Sequence, residues 1–274
     1  DASALQESVS KKLQKLFYTE SEILLSTSSG SGLMEGAIRS CTSRKAAVFS
    51  CGAFGDRWYK MAVTNNVKAD LYNVDMGKAI TPEMVETALA TGQYDLIEVV
   101  NKYKDVIFCV DAVSSAGGAK IEVDKLGIDI LITSTQKALG LPPGMAICTF
   151  SERAIKRAET VEFRGTYFDL LAVYKYLKKK NYQYPSTPSL SHMFAMDYQL
   201  DNILKEGLDK RFKRHEEMAN LVRAWAQKHF ESFIKHTNSH KEHSKYKYIT
   251  VKFKINGKRN ADSKWLWRFK RKNI

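Results

Sequence analysis

The sequence predicts an α/β protein in which helices flank a mostly parallel β-sheet. In the first 150 residues, short apolar segments alternate with segments of helical periodicity. Strands separated by helices of about 10–15 residues are typical of βαβ units, whose strands run parallel. From Glu152 to His229 the pattern is mostly helical, with apolar residues at helical spacing among many charges.

The predicted strands are short apolar runs that end in polar or turn-forming residues. In chain order they are Glu22–Thr27, Lys45–Cys51, Val67–Val74, Asp105–Asp111, Asp129–Thr133 and Met145–Phe150. The predicted helices between them include Leu33–Cys41 and Phe54–Asn65. A third helix is expected to begin at Thr81-Pro82, with Thr as the cap and Pro at the first helical position.

Composition excludes several classes of protein. Apolar residues make up 44% and charged residues 27% of the 274 residues, as in ordinary globular proteins. No apolar run approaches the roughly 20 residues of a membrane span, and the first seventeen residues lack the apolar core of a signal peptide. The four cysteines are far apart without metal-binding spacing, so we expect no metal site, no disulfide framework and a cytoplasmic location.

The net charge of +13 is concentrated in one segment. Residues 235–274 contain thirteen Lys or Arg and two Asp or Glu, whereas the rest of the chain contains 30 and 28. The body of the protein is therefore almost neutral, which argues against nucleic acid as its ligand. A basic extension that binds nucleic acid through residues 235–274 remains an alternative.

Three polar segments follow predicted strands, where ligands of open parallel sheets bind. Ser28–Gly32, with the sequence SSGSG, joins a strand to a helix whose free N–H groups could bind a phosphate. Asp111 ends an apolar strand and needs a partner if buried. Lys137 follows the strand DILIT in STQKALGLPPG, where a lysine can act as a Schiff-base amine. Taken singly, each has a plain alternative: a βα turn, a loop cap and a solvated lysine.

Together the three segments have the layout of a pyridoxal phosphate (PLP) site, in which an aspartate contacts the pyridine nitrogen and a lysine binds the cofactor. At these residues the sequence resembles the class V aminotransferases, most closely the alanine–glyoxylate, serine–glyoxylate and serine–pyruvate branch. The resemblance extends from about residue 13 to about residue 230. It rests on five motifs in family order: SGSGLMEGA, GAFGDRW, CVDAVSSAGG, STQKALGLPPG and RGTYFDLL.

The resemblance implies a PLP-dependent fold of type I, like that of aspartate aminotransferase, and a role for particular residues. Lys137 would bind the cofactor covalently and move a proton at the substrate, while Asp111 would keep the pyridine nitrogen protonated. Phe54 would stack on one face of the ring, unless it is a core aromatic, and Val113 would pack on the other face.

The resemblance also implies how the phosphate is held. Backbone N–H groups would bind it, namely those of Ser31, Gly32 and Leu33. The side chain of Gln136 would add a further contact, and a glutamine at this position favours transamination over cysteine desulfuration.

A homodimer with shared active sites is a further implication. Tyr184 and Thr187, in YPSTP, match a family segment that reaches the phosphate in the neighbouring subunit. The expected activity is transamination between alanine or serine and glyoxylate or pyruvate. Two alternatives stay open: another PLP reaction of lyase or desulfurase type, and an inactive PLP-binding chain with a basic nucleic-acid-binding tail.

The chain departs from the family in three places. It begins after a loop that helps to form the substrate pocket in relatives, and relatives have an extra strand and turn between Leu96 and Ile97. We expect a large cofactor-binding domain at 1–200 and the start of an incomplete small C-terminal domain at 201–274. The basic tail 235–274 contains no match for the family's substrate-binding arginine.

A frameshift would explain the basic tail. Read one nucleotide forward, back-translations of Lys235–Thr250 and of the final SKWLWRFKRKNI give strings that resemble the family's small domain. Both tryptophans of the second string fit, although tryptophan has a single codon. The rival interpretation is a natural basic extension, and sequencing of the coding DNA would decide between them.

Overall fold

The computed structural model describes residues 1–75, 78–97, 105–179, 182–229, 256–259 and 265–268. The chain separates into two compact units, Asp1–Phe212 and Lys213–Ile274. The predicted functional domains, 1–200 and 201–274, stay a prediction. Within the described ranges, no helix combines the length and the apolar character needed to cross a membrane.

The first unit contains a seven-stranded sheet with the order β1-β7-β6-β5-β4-β2-β3. Its strands are β1 (Glu22–Ser26), β2 (Ala46–Ser50), β3 (Ala69–Asn73), β4 (Leu96–Ile97), β5 (Ile107–Asp111), β6 (Ile130–Ser134) and β7 (Ala146–Phe150). The five strands from β2 to β6 run parallel, and β7 is antiparallel to both of its neighbours, β6 and β1. The mostly parallel sheet is thereby confirmed, and every predicted strand is present within a few residues of its expected bounds.

Helices flank the sheet of the first unit. They are α1 (Ala2–Phe17), α2 (Gly30–Cys41), α3 (Ala53–Thr64), α4 (Pro82–Leu89), α5 (Val123–Leu126), α6 (Glu152–Glu159), α7 (Leu170–Lys179) and α8 (Leu190–Glu206). Helix α9 (Leu208–His229) begins in the first unit and continues into the second. The predicted cap of α4 is confirmed, because the Thr81 side chain accepts a hydrogen bond from the Met84 N–H. Helix α2 begins at Gly30, three residues earlier than predicted, so the glycine-rich segment forms its first turn.

The core lies on both faces of the sheet, as expected for parallel strands covered by helices. Side chains alternate along each strand: on β6, Leu131 belongs to one buried cluster, while Ile130 and Ile132 belong to the other. The first cluster includes side chains of α1, α4 and α8, and the second includes side chains of α2, α3, α6 and α7. Because helices pack on both faces of the sheet, the positions of the strand ends are fixed.

Two predicted irregularities have different outcomes. Leu96 and Ile97 form a continuous two-residue strand between β2 and β5, whereas residues 98–104 lie outside the described residues. In the second unit, Asn256–Arg259 and Trp265–Arg268 pair as the antiparallel strands β8 and β9. The other residues of the basic tail 235–274 also lie outside the described residues.

Candidate active site

Parallel strands bring the polar segments of the sequence to one edge of the sheet. Strand β1 runs in the same direction as β6, because both are antiparallel to β7. The carboxyl ends of β1, β2, β5 and β6 therefore lie at the same edge. The chain continues from β1 into the glycine-rich start of α2, and from β2 into the first turn of α3. Asp111 is the last residue of β5, and the Lys137 loop follows β6. The residues predicted to form the site therefore lie at the edge where ligands of open α/β sheets bind.

Asp111 is the last residue of β5 and is partly buried there. Its carboxylate accepts a hydrogen bond from the Val113 N–H at 3.1 Å, as a loop cap would. Burial raises the pKa of Asp111, against the opposing effects of that N–H, the Trp58 indole and the positive charge of Arg57. One backbone bond of ordinary length leaves most of this carboxylate's accepting capacity for a cationic or N–H partner.

The first turn of α2 is packed too closely for any residue but glycine at two positions. A Cβ on Gly30 would lie 2.9 Å from Cγ2 of Val113, and one on Gly32 would lie 2.5 Å from the Phe168 ring. The N–H of Gly32 donates to the carbonyl of Ser29 at 2.9 Å, so a phosphate would compete for this predicted donor. Leu33, the last predicted phosphate donor, is buried in the core.

Among the described residues, the buried side chains without a hydrogen-bond partner include Ser134 and Thr133 at the end of β6 and Trp58 on α3. The Ser134 hydroxyl, at the end of β6, is fully buried and lies 3.8 Å from the position of a Cβ on Gly30. The Trp58 indole N–H, on α3, is also buried; it lowers the pKa of Asp111 without forming a hydrogen bond of normal geometry. Buried polar atoms are normally paired, so the Ser134 hydroxyl beside Gly30 fits a site for a ligand with acceptor groups such as a phosphate, whereas the Trp58 indole acts on Asp111.

Phe54 lies in the first turn of α3, where its ring is 57% exposed. The core alternative for this residue is therefore excluded, and the ring is accessible to a planar ligand. The Arg57 guanidinium lies 5.0 Å from the ring centroid of Phe54 and donates to the Ser31 hydroxyl at 3.0 Å. Arg57 thus connects the start of α2 with the start of α3.

The Lys137 loop is a closed turn stabilised by its own backbone. The N–H of Gly140 donates to the Lys137 carbonyl at 2.9 Å, and the N–H of Leu141 donates to the Thr135 carbonyl at 3.0 Å. The Thr135 hydroxyl donates to the Pro142 carbonyl at 2.6 Å. Gly140 has a φ of 72°, which glycine adopts at little cost. The side chains of Gln136 and Lys137 are exposed at this edge.

Tyr184 and Thr187 lie beside β1, away from Asp111 along the sheet. The Tyr184 hydroxyl accepts a hydrogen bond from the Leu25 N–H at 3.0 Å, and burial raises the pKa of this phenol. The Thr27 hydroxyl donates to the Thr187 carbonyl at 3.4 Å. Both predicted residues line a pocket that also contacts Leu33 of α2.

Sequence reasoning missed three polar residues of this edge. Arg57 and Trp58 lie in the motif GAFGDRW and Ser134 begins the motif STQKALGLPPG, but neither motif shows which polar atoms lack a partner. Only the packing of α2 and α3 against the strand ends reveals this.

Comparisons with known proteins agree with this geometry. The sequence model of the family described as "Aminotransferase class-V" matches residues 57–266. The match continues well past residue 230, the predicted end of the resemblance, and includes most of the basic segment. At its other end the match begins at residue 57, after the motif SGSGLMEGA and within GAFGDRW, whereas the predicted resemblance begins at about residue 13.

The chain is similar to curated proteins that are longer than itself. It is 38% identical over 249 residues to an uncharacterized aminotransferase of Methanocaldococcus jannaschii, covering 82% of this chain and 64% of that protein. It is 29% identical over 231 residues to the L-aspartate–glyoxylate aminotransferase of Paracoccus denitrificans, covering 75% and 58%. The chain thus spans less than two thirds of the length of these relatives.

A solved structure shares the fold. The alanine–glyoxylate aminotransferase of Nostoc sp. superimposes with a TM-score of 0.75 at 22% identity, covering 82% of this chain and 66% of that one. At this level of identity, the likeness establishes the fold type that the motifs implied.

Proposed function

The chain belongs to the class V aminotransferase family, and we propose that it binds PLP and transfers an amino group between a small amino acid and a 2-oxo acid. The proposal rests mainly on one observation: Asp111 and the Lys137 loop follow two neighbouring parallel strands, β5 and β6. Bound PLP would supply an electron sink for the charge that develops when a proton leaves the substrate.

Lys137 is proposed to bind the cofactor covalently and to carry the proton that leaves the substrate. Its amine is exposed at the carboxyl edge, and its loop is fixed by the bonds of Thr135 and Gly140. Asp111 is proposed to hold a proton on the ring nitrogen. Its burial disfavours the isolated carboxylate, and an opposite charge at that position would stabilise it.

The remaining residues are proposed to position the cofactor. Phe54 and Val113 would cover the two faces of the ring. The phosphate would be held at the start of α2 by the N–H groups of Ser31 to Leu33, with Gln136 beside them. To these predicted groups we add the Ser134 hydroxyl, which is buried without a partner.

A direct test combines chemical labelling with turnover. The purified chain is incubated with PLP, reduced with borohydride and digested, and we expect the pyridoxyl group on Lys137. The amino donors alanine, serine and aspartate are then combined with glyoxylate and with pyruvate. Turnover that requires the 2-oxo acid supports transamination, whereas turnover without it indicates a lyase or desulfurase. A label on another lysine would refute the assignment of Lys137.

We also propose a cytoplasmic homodimer with shared active sites. The four cysteines are free thiols, which fits a reducing compartment. Phe163, Phe194 and Tyr198 are more than half exposed, and exposed aromatic groups are typical of subunit contacts. Mixing Lys137→Ala with Tyr184→Phe protomers would test site sharing, because only a shared site restores activity in the mixture.

A further inference from the structure

Arg211, on α9, is a buried arginine that bonds to two separate loops. Its side chain is only 7% exposed. The Nε donates to the Gly117 carbonyl at 2.7 Å and one terminal nitrogen donates to the Ala138 carbonyl at 2.6 Å. The other terminal nitrogen pairs with the Glu206 carboxylate at 3.2 Å.

The two loops are those that carry the predicted catalytic groups. Gly117 lies in the loop that follows Asp111, and Ala138 is the neighbour of Lys137. The loops also touch each other, since a Cβ on Gly117 would lie 3.0 Å from Cδ2 of Leu139. One guanidinium group therefore ties together the backbones that follow Asp111 and Lys137.

Helix α8 adds further bonds to the Lys137 loop. The Gln199 amide donates to the Leu139 carbonyl at 2.9 Å, and the His192 ring Nε2 lies 3.2 Å from the Pro143 carbonyl. These bonds hold the Lys137 loop alone. Arg211 differs from them because it reaches both loops.

We propose that Arg211 is a positioning residue that fixes the Lys137 loop relative to the Asp111 loop. The hydrogen bonds from Arg211 to the two loops, called the Arg211 clamp below, form without any ligand. The inference therefore rests on the proposed function only for its catalytic meaning. A planar guanidinium can direct donors at two carbonyls and a carboxylate at once, whereas the single ammonium of lysine cannot reproduce that fork. The Glu206 carboxylate and the two carbonyls compensate the buried charge.

Hydrogen exchange of the protein without PLP tests the Arg211 clamp. Both loops contain amides that are bonded in the structure, including those of Ala116, Ala119, Gly140 and Leu141. In Arg211→Lys we expect these amides to exchange roughly tenfold faster, in line with the loss of a charge-assisted hydrogen bond.

Arg157→Lys is the matched control. Arg157 also donates to two backbone carbonyls, those of Asp95 at 2.8 Å and Asp105 at 2.7 Å, but at the opposite end of the strands. Its replacement should speed exchange near Ile107 and leave both catalytic loops unchanged. Unchanged exchange of the two loops in Arg211→Lys, or equal acceleration in Arg157→Lys, would overturn the proposal.

A second variant covers the case in which Arg211→Lys does not fold. Glu206→Gln removes the carboxylate but leaves the guanidinium, so we expect a smaller acceleration in the same two loops. No acceleration in either loop would again contradict the Arg211 clamp.

In the PLP-loaded protein, Arg211→Lys should also shift the pH at which the visible absorption band titrates, whereas Arg157→Lys should not. A loaded variant whose band titrates as in the wild type would contradict the positioning role. If the wild type binds no PLP, the proposed function fails while the exchange result still stands.

Discussion

The two ends of the parallel strands bury carboxylates in opposite ways. At the amino end of β4, Asp95 is 1% exposed and accepts hydrogen bonds from the backbone N–H groups of Ser43, Arg44 and Lys45 at 2.8, 2.8 and 3.1 Å. The Ser43 hydroxyl adds a bond at 2.7 Å, and Arg157 pairs with the carboxylate at 3.5 Å. The fold itself supplies the donors that this carboxylate needs.

Asp129, at the amino end of β6, repeats the pattern. It is 2% exposed and accepts bonds from the Phe108 N–H at 2.9 Å and the Ser151 hydroxyl at 2.6 Å. Arg153 pairs with it at 3.5 Å. Both amino-end carboxylates are therefore structural, since their polar atoms are satisfied within the protein.

At the carboxyl end, the buried polar groups have fewer hydrogen-bond partners within the protein. Asp111 has one backbone bond of normal geometry, at 3.1 Å, with only the Trp58 indole and the charge of Arg57 besides. Ser134, at the other end of the strand that Asp129 precedes, has a buried hydroxyl without a partner. A protein tolerates such groups where a ligand supplies the missing interactions. The carboxylates at the amino end are thus paired within the fold, whereas Asp111 and Ser134 at the carboxyl end keep hydrogen-bonding capacity for a ligand.

The largest effect is expected for Lys137→Ala. Turnover should fall by about a thousandfold or more, because the amine that binds the cofactor and moves the proton is lost. The stability of the protein without PLP should not change, since the side chain is exposed. The assay is steady-state turnover beside urea unfolding, with Lys125→Ala, another exposed lysine, as the control. An active Lys137→Ala protein would exclude Lys137 as the cofactor-binding residue.

At saturating PLP, Asp111→Ala should still bind the cofactor covalently but lower turnover by about a hundredfold or more, because the ring loses the anion that keeps it protonated. Single-turnover rates with excess amino acid measure this directly, and borohydride labelling of Lys137 shows whether the cofactor is still bound. Full activity in this variant would contradict the proposed site.

Two serine variants should give smaller effects, one on PLP binding alone and the other on stability alone. Ser134→Ala should weaken PLP binding roughly tenfold and leave unfolding unchanged. Ser151 donates to Asp129 and caps α6, so Ser151→Ala should lower the unfolding free energy by about 1 kcal/mol and leave PLP binding unchanged. Fluorescence titration measures the affinity for PLP, and urea unfolding measures the free energy of unfolding. Equal changes of both quantities in the two variants would contradict the assignment of Ser134 to the site and of Ser151 to the fold.

The smallest effect concerns pH. Burial raises the pKa of Asp111 above its ordinary value of 3.8. Between the pKa of the unfolded chain and the higher pKa of the folded protein, the folded protein therefore binds more protons than the unfolded chain. Its stability should fall as pH rises through that window. Asp111→Asn removes this titration, so its stability advantage over the wild type should grow with pH and then level off. Urea unfolding of both proteins without PLP, from acidic to neutral pH, checks the sign.

Local patterns predicted much of this fold. Buried strands are short apolar runs between polar residues, and Asp111 and Lys137 lie at the ends of such runs, so both were found from sequence. Helix α1 was missed, although Val9, Leu13 and Leu16 show a helical spacing of buried residues. Polar and charged residues separate these positions, so the segment contains no apolar run of the kind that marks a buried element.

Other features depend on tertiary contacts and have no local signal. Arg211 is bonded to Gly117 and Ala138, which are distant from it in sequence, and nothing in its own segment distinguishes it from the neighbouring basic residues. Ser134 lies in a known motif, but its lack of a partner follows from how α2 packs against β6. Such groups can be found only after the strands are placed side by side.

Unfolding with and without PLP, carried out on Asp111→Asn and Asp129→Asn, tests the comparison most directly. A ligand that binds only the folded protein raises its unfolding free energy. Asp129→Asn should lower stability without PLP but keep the increase that PLP causes in the wild type. Asp111→Asn should keep or raise stability without PLP and lose most of that increase. If the two variants respond alike, or if Asp129→Asn is the one that loses the PLP effect, the assignment of the two ends of the sheet is wrong.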